Sequence, residues 1–515
     1  MTSFSPLLRH SLSHLKPSIS PRPTLRSHTT FSARPPSPST HSTPLRFFDR
    51  SHPVQRIGTE FFYPSSQCRF YRYHSRSLHT SVTPHNLSPS LHSASLASST
   101  SSTLSSTSPS LSSTHPPQSD FSQTDRTIPS SLPTWLLGCS ALVFGIVVIG
   151  GLTRLTESGL SITEWQPITG ILPPIGEDQW EAEWEKYRVS PEGILYNSQI
   201  DMGEFKKIFY MEWGHRLAGR VLGIAFIVPT LYYLSRYRLP RSLQTKLLAI
   251  GLGIGFQGAL GWYMVQSGLK PEIIEDKAPA RVSQYRLAAH FGAALALYIG
   301  MLQTALGLRQ DVKLQRQLDN IPKIMSMLKL SQVKRYKMLV HSSLGLVLLT
   351  AISGAFVAGL DAGLVYNEFP MMGEGLAPPL DELLDKRYSR REDGGDRWWR
   401  NMLENPVTAQ FDHRVLATTT FGFVLSLPLI ARRGTLSTIL SKSTRRMAML
   451  TAAAAITQVT LGITTLLYLV PVPLAASHQG GSVVLVTCLV GLASTLRRPS
   501  RALRALMTVR IVKPN

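Results

Sequence analysis

Cysteine is nearly missing from this chain: Cys68, Cys139 and Cys488 are the only three in 515 residues, and none stands in a CxxC spacing. Neither a disulfide framework nor a thiolate metal site is supported. Acidic side chains are also short, with 31 Asp and Glu against 53 Lys and Arg. The first 130 residues lack any apolar run long enough to make a core, and the apolar segments after Leu132 lack the polar stripe of a water-soluble helix. A near-neutral mean hydropathy therefore averages a polar leader and a membrane body.

The leader, residues 1–80, holds eleven Lys and Arg against Asp49 and Glu60, with serine throughout. This is the composition of a mitochondrial transit segment. Residues 81–131 form a Ser/Thr/Pro-rich linker that cannot bury enough apolar surface to offset its ordering entropy, so disorder is expected. The arginines are dispersed and lack interleaved aromatics, so no nucleic-acid partner is expected.

Eight segments have the ~20 apolar residues that cross a bilayer. They lie near 132–152, 209–234, 247–265, 287–308, 338–360, 411–431, 447–470 and 474–496, the last two joined at Pro471 and Pro473. The fold class is all-α, a polytopic membrane protein. The loops at 235–246 and 432–446, a connecting loop at 309–337 and the tail 497–515 are basic, whereas the long first loop carries Glu177, Asp178, Glu181, Glu183 and Glu185. Lysine and arginine stay on the side from which spans insert, so both termini are expected in the matrix.

The first four spans echo the last four. GHRLAGRVLG from Gly214 lies against DHRVLATTTF from Asp412, FQGALG at 256–261 against TQVTLG at 457–462, and LAAHFG at 287–292 against LAASHQGG at 474–481. GGLTRLTESGLS from Gly150 similarly matches GAFVAGLDAGLV from Gly354. Two pseudo-symmetric four-helix bundles are implied, 132–308 and 338–496.

Ten of the fifteen histidines lie in the leader and linker and five in the body. His215 and His413 are repeat-equivalent on spans 2 and 6, and His290 and His478 on spans 4 and 8, all in the first turns after an acidic-side loop. Two imidazoles per bundle on alternate helices at equal depth suit a heme iron approached from both faces. Zinc or copper would call for thiolates or more imidazoles. His341, without a repeat partner, is expected to cap span 5 or sit at the interface. Arg216 and Arg414 follow two of the histidines and are candidates for heme propionates, although snorkelling would also place arginines there.

The halves differ at Glu212, three residues before His215, where the second half has Gln410. A carboxylate beside a heme can move protons or stabilise a developing cation, and a glutamine cannot. The first bundle therefore reads as catalytic and the second as a heme holder. An interfacial glutamate bordering an acidic loop is the alternative.

Residues 132–496 resemble the mitochondrial branch of the heme A synthase family, through GGLTRLTESGLS, MEWGHRLAGR, QGALGWYMVQSGL, RLAAHFG, SGAFVAGLDAGLVYNEFP, FDHR and SHQGG. The resemblance implies oxidation of the C8 methyl of heme O to the formyl of heme A in the mitochondrial inner membrane, for cytochrome c oxidase biogenesis. It implies heme b on His413 and His478, heme O between His215 and His290, and an essential Glu212, with the sites toward the intermembrane space. If both imidazoles ligate the heme O iron, either one dissociates to admit oxygen or activation takes another path. A matrix ferredoxin system, heme O synthase and oxidase assembly factors are the implied partners. A homo-oligomer is also expected, since Gly214, Ala218 and Gly219 permit close helix packing. Some bacterial members have an outer-loop cysteine pair, which this sequence lacks. A two-heme b-type cytochrome that only relays electrons would share every ligand but leaves Glu212 opposite Gln410 without a reason. A transporter would need broken helices near midplane.

Overall fold

The computed structural model describes residues 128–276 and 279–505. The transit segment and most of the linker lie outside them. Eight helices are long and apolar enough to cross a membrane: span 1, Ser131–Leu155; span 2, Met202–Arg236; span 3, Arg241–Val265; span 4, Gln284–Gln315; span 5, Ser331–Gly359; span 6, Pro406–Ala431; span 7, Lys442–Leu467; span 8, Val472–Thr495. No β-strand occurs among the described residues.

Several helices overrun the apolar stretch that announces them. Span 2 begins at Met202, where the Asp201 carboxylate caps the helix by accepting from Glu204 N at 2.7 Å. The added turns pack Phe205 and Phe209 edge-on against Trp180 of the first outer loop. The 309–337 segment, expected as a loop, is mostly helical. Span 4 runs on to Gln315, Asn320–Lys329 forms an amphipathic helix, and span 5 already starts at Ser331. This puts His341 well inside a helix rather than at its start. There it is exposed, and its Nδ1–H donates to the Lys337 carbonyl at 2.7 Å, so it does not cap span 5.

Each half closes a ring in which spans 1–2–3–4 and 5–6–7–8 pack neighbour against neighbour, while diagonal spans scarcely touch. The rings meet through spans 1 and 4 on one side and 5 and 8 on the other. Leu136, Val143, Leu295, Met301, Val347 and Leu489 are buried in the shared core there. Gly151 lets spans 1 and 8 approach closely: a Cβ on it would overlap the Gln479 amide, which donates to the Val147 carbonyl at 2.8 Å. Ion pairs fasten the halves at both ends. Arg154 and Arg281 grip Asp361 at 2.6 and 2.8 Å on the acidic side. At the basic side Arg497 meets the buried Asp311 at 3.0 Å.

Candidate functional site

The core stops short of the histidines. Not one residue is fully buried over 213–221 of span 2, 289–294 of span 4, 411–419 of span 6 or 472–482 of span 8, the four stretches that carry His215, His290, His413 and His478. On span 3 burial is confined to Leu243, Leu247 and Ile250, in its basic-side half. The four histidine stretches are thus less fully covered than the basic-side core. The histidines stand on diagonal spans, across the middle of each ring. His290 lies within electrostatic reach of His215, as His413 does of His478.

Each imidazole rests on a glycine of the preceding span. A Cβ on Gly150 would stand 2.7 Å from His215 Cε1, and one on Gly462 would stand 2.7 Å from His478 Cε1. The separations are 3.2 Å for Gly261 with His290 and 3.1 Å for Gly354 with His413. Gly150 and Gly354 are equivalent in the repeat, as are Gly261 and Gly462. Bare backbone lets the Cε1 corner of each ring come close to the neighbouring helix, with no side chain to push it aside. Sequence reading had no reason to single these glycines out, although their recurrence at matched places was a signal that could have found them.

The ring nitrogens differ in their support. His413 Nδ1 lies 2.8 Å from Ser353 Oγ, whose own proton goes to the Thr350 carbonyl, while His478 Nδ1 lies 3.2 Å from both the Gln458 backbone carbonyl, which can only accept, and the Gln458 side-chain nitrogen, which donates. A proton on Nδ1 leaves Nε2 as the lone-pair donor, which is how a neighbour sets the tautomer of a metal-binding imidazole. With its amide nitrogen turned to the ring, Gln257 lies 3.1 Å from His290 Nδ1 and also accepts from Ala294 N. His215 Nδ1 is buried without a side-chain partner. In register, Ile149 stands where the second bundle has Ser353.

Glu212 is 3 % exposed and stands ten residues past the start of span 2. Four donors converge on it. Oε2 accepts from Ser161 Oγ and Ile162 N, both at 2.8 Å, and Oε1 accepts from Arg216 Nη2 at 2.6 Å and Nε at 3.1 Å. Arg216 further donates to the Ile162 and Glu164 carbonyls. Four of its five N–H groups are therefore engaged within the protein. In the second bundle Gln410 donates to the Tyr366 carbonyl at 3.0 Å while its Oε1 is buried without a partner. Arg414 holds the Tyr366, Glu368 and Met371 carbonyls, and its Nε is buried and unmet. Both arginines fasten outer loops to their spans, so few of their donors remain for a ligand.

Behind Glu212 the first outer loop encloses a second carboxyl group. Glu192, 5 % exposed, accepts from Tyr187 Oη at 3.2 Å. Burial pushes its pKa up to about 8, with the charges of Glu212 and Glu157 adding to the rise.

Paired imidazoles on glycine seats, on diagonal spans of one ring and within electrostatic reach of each other, are of the kind that could hold a heme iron. Among the described residues no three His, Cys, Asp or Glu side chains gather in the cluster a bare metal ion would use. The profile of a family described as cytochrome oxidase assembly protein, COX15-CtaA, matches residues 133–490. The chain belongs to this family. Among its relatives, the heme A synthase COX15 of Saccharomyces cerevisiae is 46 % identical over 381 residues, 72 % of this chain and 76 % of that one. The human heme A synthase COX15 is 44 % identical over 364 residues, 71 % of this chain and 82 % of its own. A heme A synthase–mitochondrial ferredoxin fusion protein of Schizosaccharomyces pombe is 45 % identical over 392 residues, 75 % of this chain and 63 % of the fusion. The COX15-CtaA match covers all eight spans and every histidine of the two pairs.

Proposed function

We propose that this chain, like the relatives so named, is a heme A synthase: an oxidoreductase of the mitochondrial inner membrane that oxidises the C8 methyl of heme O to the formyl of heme A. Two successive hydroxylations give a gem-diol, which loses water. The first bundle takes heme O between His215 and His290, and the second holds heme b through His413 and His478. Heme b would supply one-electron transfer. The observation that carries the reading is the pairing of glycine-seated histidines on diagonal spans of both rings.

In the first bundle the two imidazoles hold and orient the substrate. Glu212, fixed by four donors, presents a negative charge that stabilises positive charge developing on the substrate. Ser161 and Ile162 N keep that carboxylate from turning away. In the second bundle Ser353 holds His413 in the tautomer with its proton on Nδ1, and Gln458 fastens His478 through its backbone carbonyl and side-chain amide. The unmet Nε–H of Arg414 is the donor best left to meet a propionate, and Arg216 has only one N–H remaining for that task.

The basic ends of the spans are assigned to the matrix, with both termini, and the histidine end to the intermembrane space. The name of the fission-yeast relative supports a ferredoxin as electron donor. A protein that only relayed electrons between two hemes is not favoured, since such a relay gives Glu212 no task that Gln410 lacks. The test is extraction and chromatography of the hemes that co-purify with the chain. Heme b accompanied by heme O, its hydroxylated form or heme A is expected; heme b alone in both bundles would contradict the reading.

A further inference from the structure

The first outer loop has a stretch, 165–176, with no charged residue, bracketed by Glu164 and Glu177. Its large apolar side chains point away from the protein: Ile168, Leu172 and Ile175 are 78, 71 and 81 % exposed, and Trp165 and Ile171 are exposed as well. The loop's backbone carbonyls, in contrast, turn inward to donors on span 2. Arg216 takes those of Ile162 and Glu164 at 2.8 and 3.0 Å, and Arg220 those of Gln166 and Pro167 at 2.9 and 3.1 Å. Trp213 Nε1 takes that of Ile171 at 3.1 Å.

Irregular backbone survives in an apolar medium only when its polar groups find partners inside the protein. The span-2 side chains supply such partners for the carbonyls of Gln166, Pro167 and Ile171 within the stretch and of Ile162 and Glu164 before it. Depth agrees with this. Arg220 precedes Arg236, the basic-side end of span 2, by 16 residues, or ~24 Å of helix rise, and Trp213 stands ~35 Å from that end. The hydrocarbon core is ~30 Å thick, so its far boundary falls between the two residues that grip the loop. The exposed apolar face also continues onto Val221, Ile224 and Val228 of span 2. The corresponding loop of the second bundle is likewise gripped by Arg414, but Glu368 and Glu374 interrupt it.

We infer that residues 165–175 form a lip inserted into the outer edge of the bilayer, with Trp165, Ile168, Leu172 and Ile175 among lipid acyl chains beside the first bundle. The inference rests on the depth of span 2 and the carbonyl pairing, and stands whatever the bundle binds. The test places single cysteines, Ile168→Cys, Ile175→Cys and, as a charged-surface control, Asp178→Cys, in the full chain with Cys68, Cys139 and Cys488 replaced by alanine. Each is labelled with an environment-sensitive fluorophore in phosphatidylcholine vesicles. Lipid bearing a nitroxide near the top of its acyl chain is expected to quench positions 168 and 175 several-fold more than 178, and aqueous iodide to show the reverse order. Iodide quenching at 168 and 175 equal to that at 178 would overturn the inference.

Discussion

The two bundles place imidazoles alike and charges differently. In the first, Glu212 and Arg216 form a buried ion pair that also holds Ser161 and Ile162; in the second, Gln410 and Arg414 keep the arginine-to-carbonyl bonds but leave Gln410 Oε1 and Arg414 Nε unmet. Ligand support runs the other way, because Ser353 backs His413 while Ile149 stands behind His215. Arg220, too, has Thr418 as its counterpart. A firmly backed imidazole suits a permanent heme ligand, and a less backed one suits a site that takes in substrate and releases product. On the proposed reading, the few residues that differ between the two four-span rings divide the work.

The largest expected effect falls on the second bundle. If His413 and His478 hold heme b as proposed, His413→Ala or His478→Ala should cost the purified protein most of its heme b absorbance; full heme b content in both variants would remove the ligand assignment. Next come the glycine seats. Alanine at Gly462 or Gly150 forces a Cβ to 2.7 Å from a ring carbon, an overpacking that costs about 1–3 kcal/mol unless the ring moves. Gly462→Ala should therefore lower heme b more than Gly354→Ala, where the separation is 3.1 Å. Equal heme contents would show that the rings are not confined by these contacts. A smaller loss is expected for Ser353→Ala, since removing the hydrogen-bond partner of a metal-bound imidazole weakens metal-group affinity about 10- to 100-fold. Heme transfer to an acceptor protein would read it, and Ile149→Ser would ask whether the first bundle can be converted.

The smallest effect is a pH dependence confined to the first outer loop. Glu192 has its folded pKa raised to about 8, above the ordinary carboxylate value, so the folded state binds more protons than the unfolded one between those values. Its contribution to stability is present at the acidic end of that window and is lost as pH rises through the folded pKa. Hydrogen exchange across 177–201 should accelerate as pH rises, beyond the intrinsic base-catalysed rate, and Glu192→Gln should abolish that excess. In the outer loop of the second bundle the carboxyl of Asp396 is shifted the opposite way, downward, chiefly by the Ser389 hydroxyl, so that loop should show no matching excess.

All eight spans were legible in the sequence because twenty apolar residues leave few alternatives. Their ends were not. Lys206 and Lys207 stop the hydropathy of span 2, yet the helix continues past them because Phe205 and Phe209 find Trp180. Likewise 309–337 looked like a polar loop, while Asp311 is buried against Arg497, nearly two hundred residues later in the chain. The histidine pairs were readable from the repeat. The partners of Glu212 were not, since Ser161 and Ile162 lie fifty residues away and only the folded loop brings them to the carboxylate. For the same reason the loop carbonyls that Arg216 holds could not be read from the sequence.

The division of labour is tested most directly by Glu212→Gln, which gives the first bundle the residue that the second already accommodates in its fold. Heme content and heme A formation would be measured on the same preparation. The account predicts that heme b is retained at the parental level while heme O accumulates and heme A formation stops. Heme A formed at the parental rate would contradict it.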